Sequence, residues 1–227
     1  MTEQMARGRR ATRRRAPLTR ERVLRAALRI ADREGIDSVS MRKLGQALGV
    51  EAMSLYKHVA DKEDILDGLA DLVIGEVELP PGDLEWMPAL RRIAISVHEA
   101  LLRHPWAAAV LDSRLHPGPA RLRYLDTVIG ILRRAGFSLP DVARAFMALD
   151  SHIYGFTLQE TNIPFAIEEA PQAAAQVAAH AGNEYPDLRA IALLAATEPQ
   201  AFPVEFEFGL DILLDGLDRL RLESADR

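Results

Sequence analysis

Apolar residues recur at the three- and four-residue spacing of amphipathic helices along most of the chain. Val23, Leu24, Ala27, Leu28, Ile30 and Ala31 line one face of a first helix, which Thr19 caps and Gly35 ends. Ser40 caps a second, with Met41, Leu44 and Leu48 inward and Gly49 closing it. A short third helix is predicted over 51–58. Asp61 caps a fourth over 62–77, with Glu63 and Asp64 in its first turn, where the helix dipole favours acids. The run "ELPPGDLEW" then breaks the pattern, because two prolines and a glycine do not continue a helix. Helical spacing returns over 87–104, 119–137, 139–161 and 203–222. The segment 163–187 is rich in proline and alanine, with weak patterning, and reads as a loop with a short helix. No strand alternation and no internal repeat is visible, so the pattern predicts an all-α protein.

Charge divides the chain more sharply than its net value of −5 suggests. Residues 1–62 hold 15 basic and 7 acidic side chains, a balance of +8, whereas 63–227 hold 13 and 26, a balance of −13. A basic end joined to an acidic body points to a polyanionic partner for the first part. The first 18 residues carry six arginines and almost no apolar content, too little to fold alone. The expected organisation is a disordered basic arm over 1–18, a helix-turn-helix domain over 19–66 with a connecting helix over 62–77, and a larger helical domain over 83–222. Cysteine is absent, which removes disulfides and thiol chemistry and fits a reducing, cytoplasmic setting. No apolar run reaches the roughly 18 residues of a membrane helix, and the basic N-terminus lacks the apolar stretch of a secretory signal, so neither membrane nor export is expected.

In "GVEAMSLYKHVADKEDIL", Leu55, Val59, Ile65 and Leu66 have the spacing of core residues, yet Tyr56, Lys57 and His58 stand side by side among them. Two short helices joined by a tight turn at Gly49, after a longer first helix, make a helix-turn-helix, whose second helix enters the DNA major groove. Small residues at Ala52 and Ser54 let that helix approach base edges. Met53 or Ala52 suits a thymine methyl, and Ser54 suits a base or phosphate. Tyr56, His58 and Lys62 suit phosphate oxygens, Lys57 joins them, and Arg42 on the preceding helix suits a guanine or the backbone. Packing roles for Tyr56 and His58 and plain solvation for Lys57 are the competing readings of each residue alone; their grouping in a basic domain favours DNA.

The stretch "GIDSVSMRKLGQALGVEAMSLYKHVADKEDILDGL" resembles the DNA-binding region of the TetR family of bacterial regulators, in which an "LY-x-H-x-x-x-K" run ends the recognition helix. "RRAGFSLPDVARAFMALDSHIYGFTLQE" and "FEFGLDILLDGLDRL" resemble the regulatory domain of the tetracycline repressor subgroup. The resemblance implies an all-α fold with an N-terminal three-helix helix-turn-helix domain and a larger helical ligand-binding and dimerisation domain. It implies a homodimeric regulator, a repressor, that binds a palindromic operator in double-stranded DNA and is released by a small-molecule effector. Arg42, Tyr56, His58 and Lys62 then occupy operator-contact positions, while Ala52 and Met53 replace a glutamine and a proline of the tetracycline repressor, which implies a different operator. Arg13, Arg14 and Arg15 either enter a flanking minor groove or add non-specific phosphate affinity.

Two apolar stripes have two readings each. Val142, Phe146, Leu149 and Ile153 form one, and Phe206, Gly209, Leu210, Leu213, Leu214 and Leu217 the other. They bury inside one subunit, or they build a dimer interface, and the family resemblance favours the interface. Polar residues among apolar helical positions are candidates for lining an effector site: Trp106, Arg114, His116, Tyr124, Asp150, His152, Tyr154 and Glu160. The magnesium-binding histidine of the tetracycline repressor aligns with Leu111, with His116 displaced, so no metal or other cofactor is expected, and a hydrophobic or aromatic effector is favoured. No catalytic residue is expected. There is no H-E-x-x-H, G-x-S-x-G, P-loop or G-x-G-x-x-G, and "HEALLRH" spaces its histidines wrongly for two zinc ligands on one helix face. An enzyme is thereby disfavoured. A ligand-independent architectural DNA binder is the alternative, though it would not need a large acidic domain with polar residues inside it.

Overall fold

The structure is a computed structural model and describes residues 17–114, 116–162, 169–198 and 205–225, with no side-chain description at 112 and 225. Eleven α-helices and no strand occur among the described residues. The chain divides into two units, Met1–Ile65 and Leu66–Arg227, each with its own core.

In the first unit, α1 (Arg20–Glu34) is capped by Thr19, whose side chain accepts from Arg22 N. It leads through a 3₁₀ turn (Ile36–Ser38) to α2 (Met41–Leu48), where Ser40 accepts from Lys43 N. Gly49 ends α2 in the left-handed region at φ 67°. Gly49 N donates to Gln46 O and Val50 N to Gly45 O, the paired bonds of a Schellman stop. The next helix, α3 (Ala52–Leu55), has only four residues and gives way to turns, whereas the sequence predicted a helix to His58. The hydrogen bonds show why: His58 N and Val59 N both fall back on Leu55 O and close the helix there. The crossing of α2 and α3 rests on Gly45, where a Cβ would lie 2.8 Å from Val50 O and 3.3 Å from Ala52 N. Val23, Ala27, Leu44, Leu55, Val59 and Ile65 fill the core. Arg20 grips both carboxylate oxygens of Asp64, at 2.6 and 2.7 Å, and Lys43 reaches Glu34 at 2.6 Å.

The division falls within α4 (Lys62–Ile74), which begins with Asp61 accepting from Asp64 N, as its sequence predicts. The second unit is built on α5 (Trp86–Arg103), which buries Leu90, Ile93, Ala94, Val97 and Leu101. Around α5 pack α7 (Pro119–Arg134), α8 (Leu139–Thr161) and α11 (Phe206–Ala225). A short α6 (Ala107–Ser113) precedes α7. The segment 163–187, expected to be a loop with a short helix, holds the three-turn α9 (Ala170–Ala181), and α10 (Pro186–Thr197) begins at its end and packs on α9. Alanine-rich helices need little side-chain entropy to form, and their small residues give the weak patterning that hid them.

The α2–α3 crossing yields a prediction. Gly45→Ala should destabilise the protein by about 1–3 kcal/mol through overpacking against backbone. Gly155→Ala, where a Cβ meets nothing within 4 Å, should stabilise it by up to about 1 kcal/mol, the helix-propensity difference. Urea denaturation of the two variants checks the contrast.

Candidate DNA-binding surface and ligand cleft

Where α3 follows the Gly49 turn, Leu55 is wholly buried and the residues beside it face out. Met53 is 75% exposed and Tyr56 48%, large fractions for an apolar and an aromatic side chain. Lys57, Lys62 and Arg42 are exposed, and Ala52, Ser54 and His58 are half-buried. Most other described cations of this unit are engaged: Arg20 by Asp64, Arg25 by Glu21, Arg33 and Lys43 by Glu34. By contrast, the side chains of Arg42, Tyr56, Lys57, His58 and Lys62 make no hydrogen bond or ion pair among the described residues. Free cations and hydroxyls beside a small-residue helix suit phosphate oxygens and base edges. Arg13, Arg14 and Arg15 lie outside the described residues.

The second unit contains a cleft of about 630 Å³. Ala108, Ala109 and Leu111 of α6 form one wall, Arg121 of α7 another, and Met147, Asp150, Tyr154 and Leu158 of α8 the third. Behind it lies a void of about 10 Å³ that Asp150 shares with Tyr124. Burial raises the pKa of Asp150 to about 6 against the opposing charge of Arg121. Burial also pushes the Tyr124 phenol up, with the Asp150 charge adding to it.

The eight polar residues singled out from sequence do not form one site. Asp150, Tyr154 and Tyr124 share the cleft and its void. Trp106 stands at the start of α6, 6.0 Å from the His104 ring, and Arg114 faces Asp67 at 3.7 Å. His116 is exposed. His152 and Glu160 lie elsewhere, around His98, which sequence reasoning considered only as a metal ligand. His98 Nδ1–H donates to Thr157 Oγ1 at 2.8 Å, and that hydroxyl donates to Ile153 O at 2.7 Å. Its Nε2 is 3.2 Å from Glu160, and its ring stacks on Phe206 at 4.1 Å. Burial pushes the His98 pKa down, against the pull of Glu160. This cluster ties α5, α8 and α11 together. No three His, Cys, Asp or Glu side chains are grouped to hold a metal among the described residues.

The two apolar stripes lie mostly inside the subunit. Val142, Leu149, Ile153, Phe206, Leu210, Leu214 and Leu217 are buried in the subunit's own core, where α8 packs against α11. Phe146, Gly209 and Leu213 are half-buried, and Gly209 abuts the His152 ring. The exposed apolar side chains of these helices are others: Phe208, Ile212 and Leu222 on α11, and Leu139, Met147 and Leu158 on α8. Both faces of each helix carry apolar residues, so spacing alone did not say which face turned inward.

Comparison with known proteins places these two units. Residues 23–69 match the family described as bacterial regulatory proteins of the tetR family, and residues 79–221 the tetracycline repressor-like C-terminal domain. An HTH-type transcriptional regulator of Saccharopolyspora erythraea is 37% identical over 145 residues, which span 63% of this chain and 61% of that one. The HTH-type transcriptional repressor DrrR1 of Streptomyces coeruleorubidus is 33% identical over 226 residues, covering 92% of this chain and 82% of its own. The crystal structure of the Streptomyces coelicolor TetR family protein ActR in complex with actinorhodin superposes with a TM-score of 0.76 at 28% identity, over 89% of this chain and 96% of that one. The chain belongs to the TetR family of bacterial regulatory proteins.

Proposed function

We propose that two copies of the chain bind a palindromic operator, each placing α3 in a major groove, and that a small molecule entering the α6–α8 cleft releases them. Met53, with Ala52 and Ser54, reads bases; Arg42, Tyr56, Lys57, His58 and Lys62 hold phosphates and fix the register. The relatives named as repressors and the ligand-bound ActR structure support this reading.

The observation that carries it is the attachment of the cleft to α4. Asp71 on α4 accepts a hydrogen bond at 2.9 Å from Arg121 N in the first turn of α7, and Asp67 on α4 faces Arg114 just beyond α6. Arg121 also donates to Arg114 O at 3.1 Å, so the cleft's α6 and α7 walls and α4 form one hydrogen-bonded set. A ligand that reshapes the walls therefore acts on α4, whose first residues belong to the helix-turn-helix unit. Two recognition helices must stand about 34–36 Å apart to meet successive grooves, so a small displacement of α4 suffices to weaken DNA binding. The ligand must favour the non-binding arrangement, since coupling is a difference in affinity between states.

The exposed apolar side chains Phe208, Ile212 and Leu222 of α11 supply the surface for the second copy. Phe208→Glu with Ile212→Glu should leave helicity intact and shift the protein from dimer to monomer in sedimentation velocity; a dimer that persists would remove this face from the interface.

Selection of bound sequences from random duplex DNA near physiological salt should return an inverted repeat. Against that repeat, Tyr56→Ala or Lys62→Ala should weaken binding to all sequences, and Lys62→Ala alone should lower the salt slope by about one. Met53 substitutions should change which bases are preferred. Unchanged preference in Met53 variants would assign base reading to other residues, and no enriched repeat would contradict the operator reading itself.

A further inference from the structure

The chemistry of the cleft restricts what fills it. Most of its lining is hydrocarbon, from Ala108, Ala109, Leu111, Met147, Gly155 and Leu158. Two charged groups open on it, and they differ in what they still lack. Arg121 already gives Nη1 to Arg114 O. The Asp150 carboxylate accepts no hydrogen bond and makes no ion pair with any described residue. Beside it, Tyr124 is buried with 7% of its surface exposed, and its hydroxyl also has no hydrogen-bond partner among the described residues. From α5 only Leu90, Ile93 and Ala94 face the shared void, so the titratable groups around Asp150 are Arg121 and Tyr124 from α7 and Tyr154 from α8 itself.

A part-buried carboxylate without a donor is costly, and whatever supplies the donor binds there favourably. A neutral hydroxyl brings one donor. An ammonium brings three donors and a charge, and aromatic rings nearby add attraction for a cation. The charge of Arg121 works against a cation, but burial outweighs it: the carboxyl holds its proton more tightly than it would in water.

Building on the proposed effector role of the cleft, we infer that its ligand has an apolar or aromatic body and a protonated amine, with the amine seated on Asp150 and Tyr124. Arg121 is the one cation in the lining and is partly occupied, while Ser151 and Tyr154 offer neutral hydroxyls that serve alcohols as well as anions, so the selectivity is for amine over alcohol over carboxylate.

Fluorescence titration of the full-length protein with 9-(aminomethyl)anthracene, 9-(hydroxymethyl)anthracene and 9-anthracenecarboxylate tests this. At pH 7.5 the amine should bind about tenfold more tightly than the alcohol, as befits a charge-assisted hydrogen bond, and the carboxylate most weakly. The carboxyl pKa of about 6 sets the pH window. Above it Asp150 is ionised and pairs with the amine; below it Asp150 is protonated and the preference over the alcohol is lost. Asp150→Asn should bring the amine to the alcohol's affinity and abolish the pH step. Tyr124→Phe, which leaves the carboxylate in place, should reduce the preference by a few-fold. An amine bound no more tightly than the alcohol, a preference that survives Asp150→Asn, or no binding by any of the three would overturn the inference. Release of the selected duplex is read separately. An amine that binds through Asp150 without releasing DNA leaves this inference standing and sinks the effector reading. Release by neutral compounds that ignore Asp150→Asn sinks this inference alone.

Discussion

The hydrogen bond from Arg121 N to the Asp71 carboxylate explains more of the second unit than any other single contact. A helix start leaves backbone N–H groups without partners. Here α7 begins at Gly118 and Pro119, neither with a side chain able to cap it. The acceptor comes instead from α4, at 2.9 Å. Its approach is so close that a Cβ on Gly118 would fall 2.3 Å from Asp71 Cγ. Asp71 and the Gly118–Arg121 turn, 50 residues apart in sequence, are thus fitted to each other, and α7 carries Arg121 and Tyr124 to the cleft on a base fixed to α4. Separating them would leave a helix-terminal donor and a carboxylate unpaired, on the order of 1 kcal/mol for so accessible a pair. That is within reach of a ligand's differential binding.

Packing sets the rest. Buried residues occur on so much of the circumference of α5 that it behaves as the axis of the unit, and its buried polar groups are all engaged: Ser96 accepts from Glu78 N at 2.9 Å, and His98 is held by Thr157 and Glu160. Asp141, at the start of α8, accepts from Ser138, Ser224 and Arg144, which joins the end of α11 to the start of α8. With the interior satisfied, the cleft along α6–α8 is where Asp150, a carboxylate without a partner, meets open space. Among the described residues, that cleft and the surface beside α3 both hold polar side chains without protein partners.

The sequence was most legible where local chemistry decides the outcome. Thr19, Ser40 and Asp61 cap the helices their spacing announced, and Gly49 takes the left-handed conformation that a tight stop requires. Legibility failed where the outcome depends on partners distant in sequence. Gly45 looks like a weak point in a helix and is instead the contact that sets the α2–α3 crossing. The apolar positions of α11 form two faces, and only the fold shows that Leu210 and Leu214 point inward while Phe208 and Ile212 do not. Asp150 was legible as a polar residue among apolar ones, but its lack of a partner was not, because that depends on what α5 and α7 bring beside it. Asp71 carried no signal, since an acid on an amphipathic helix reads as solvated surface.

Two copies on an operator should present their recognition helices one DNA turn apart. The chain has no cysteine, so Glu51→Cys, at the exposed start of α3, accepts a single spin label per copy. Pulsed electron paramagnetic resonance with the selected duplex should show one narrow distance distribution near the roughly 34–36 Å of a DNA turn, and a broader one without DNA. Absence of any label–label distance at saturating duplex, or a separation far from one turn, would contradict the account.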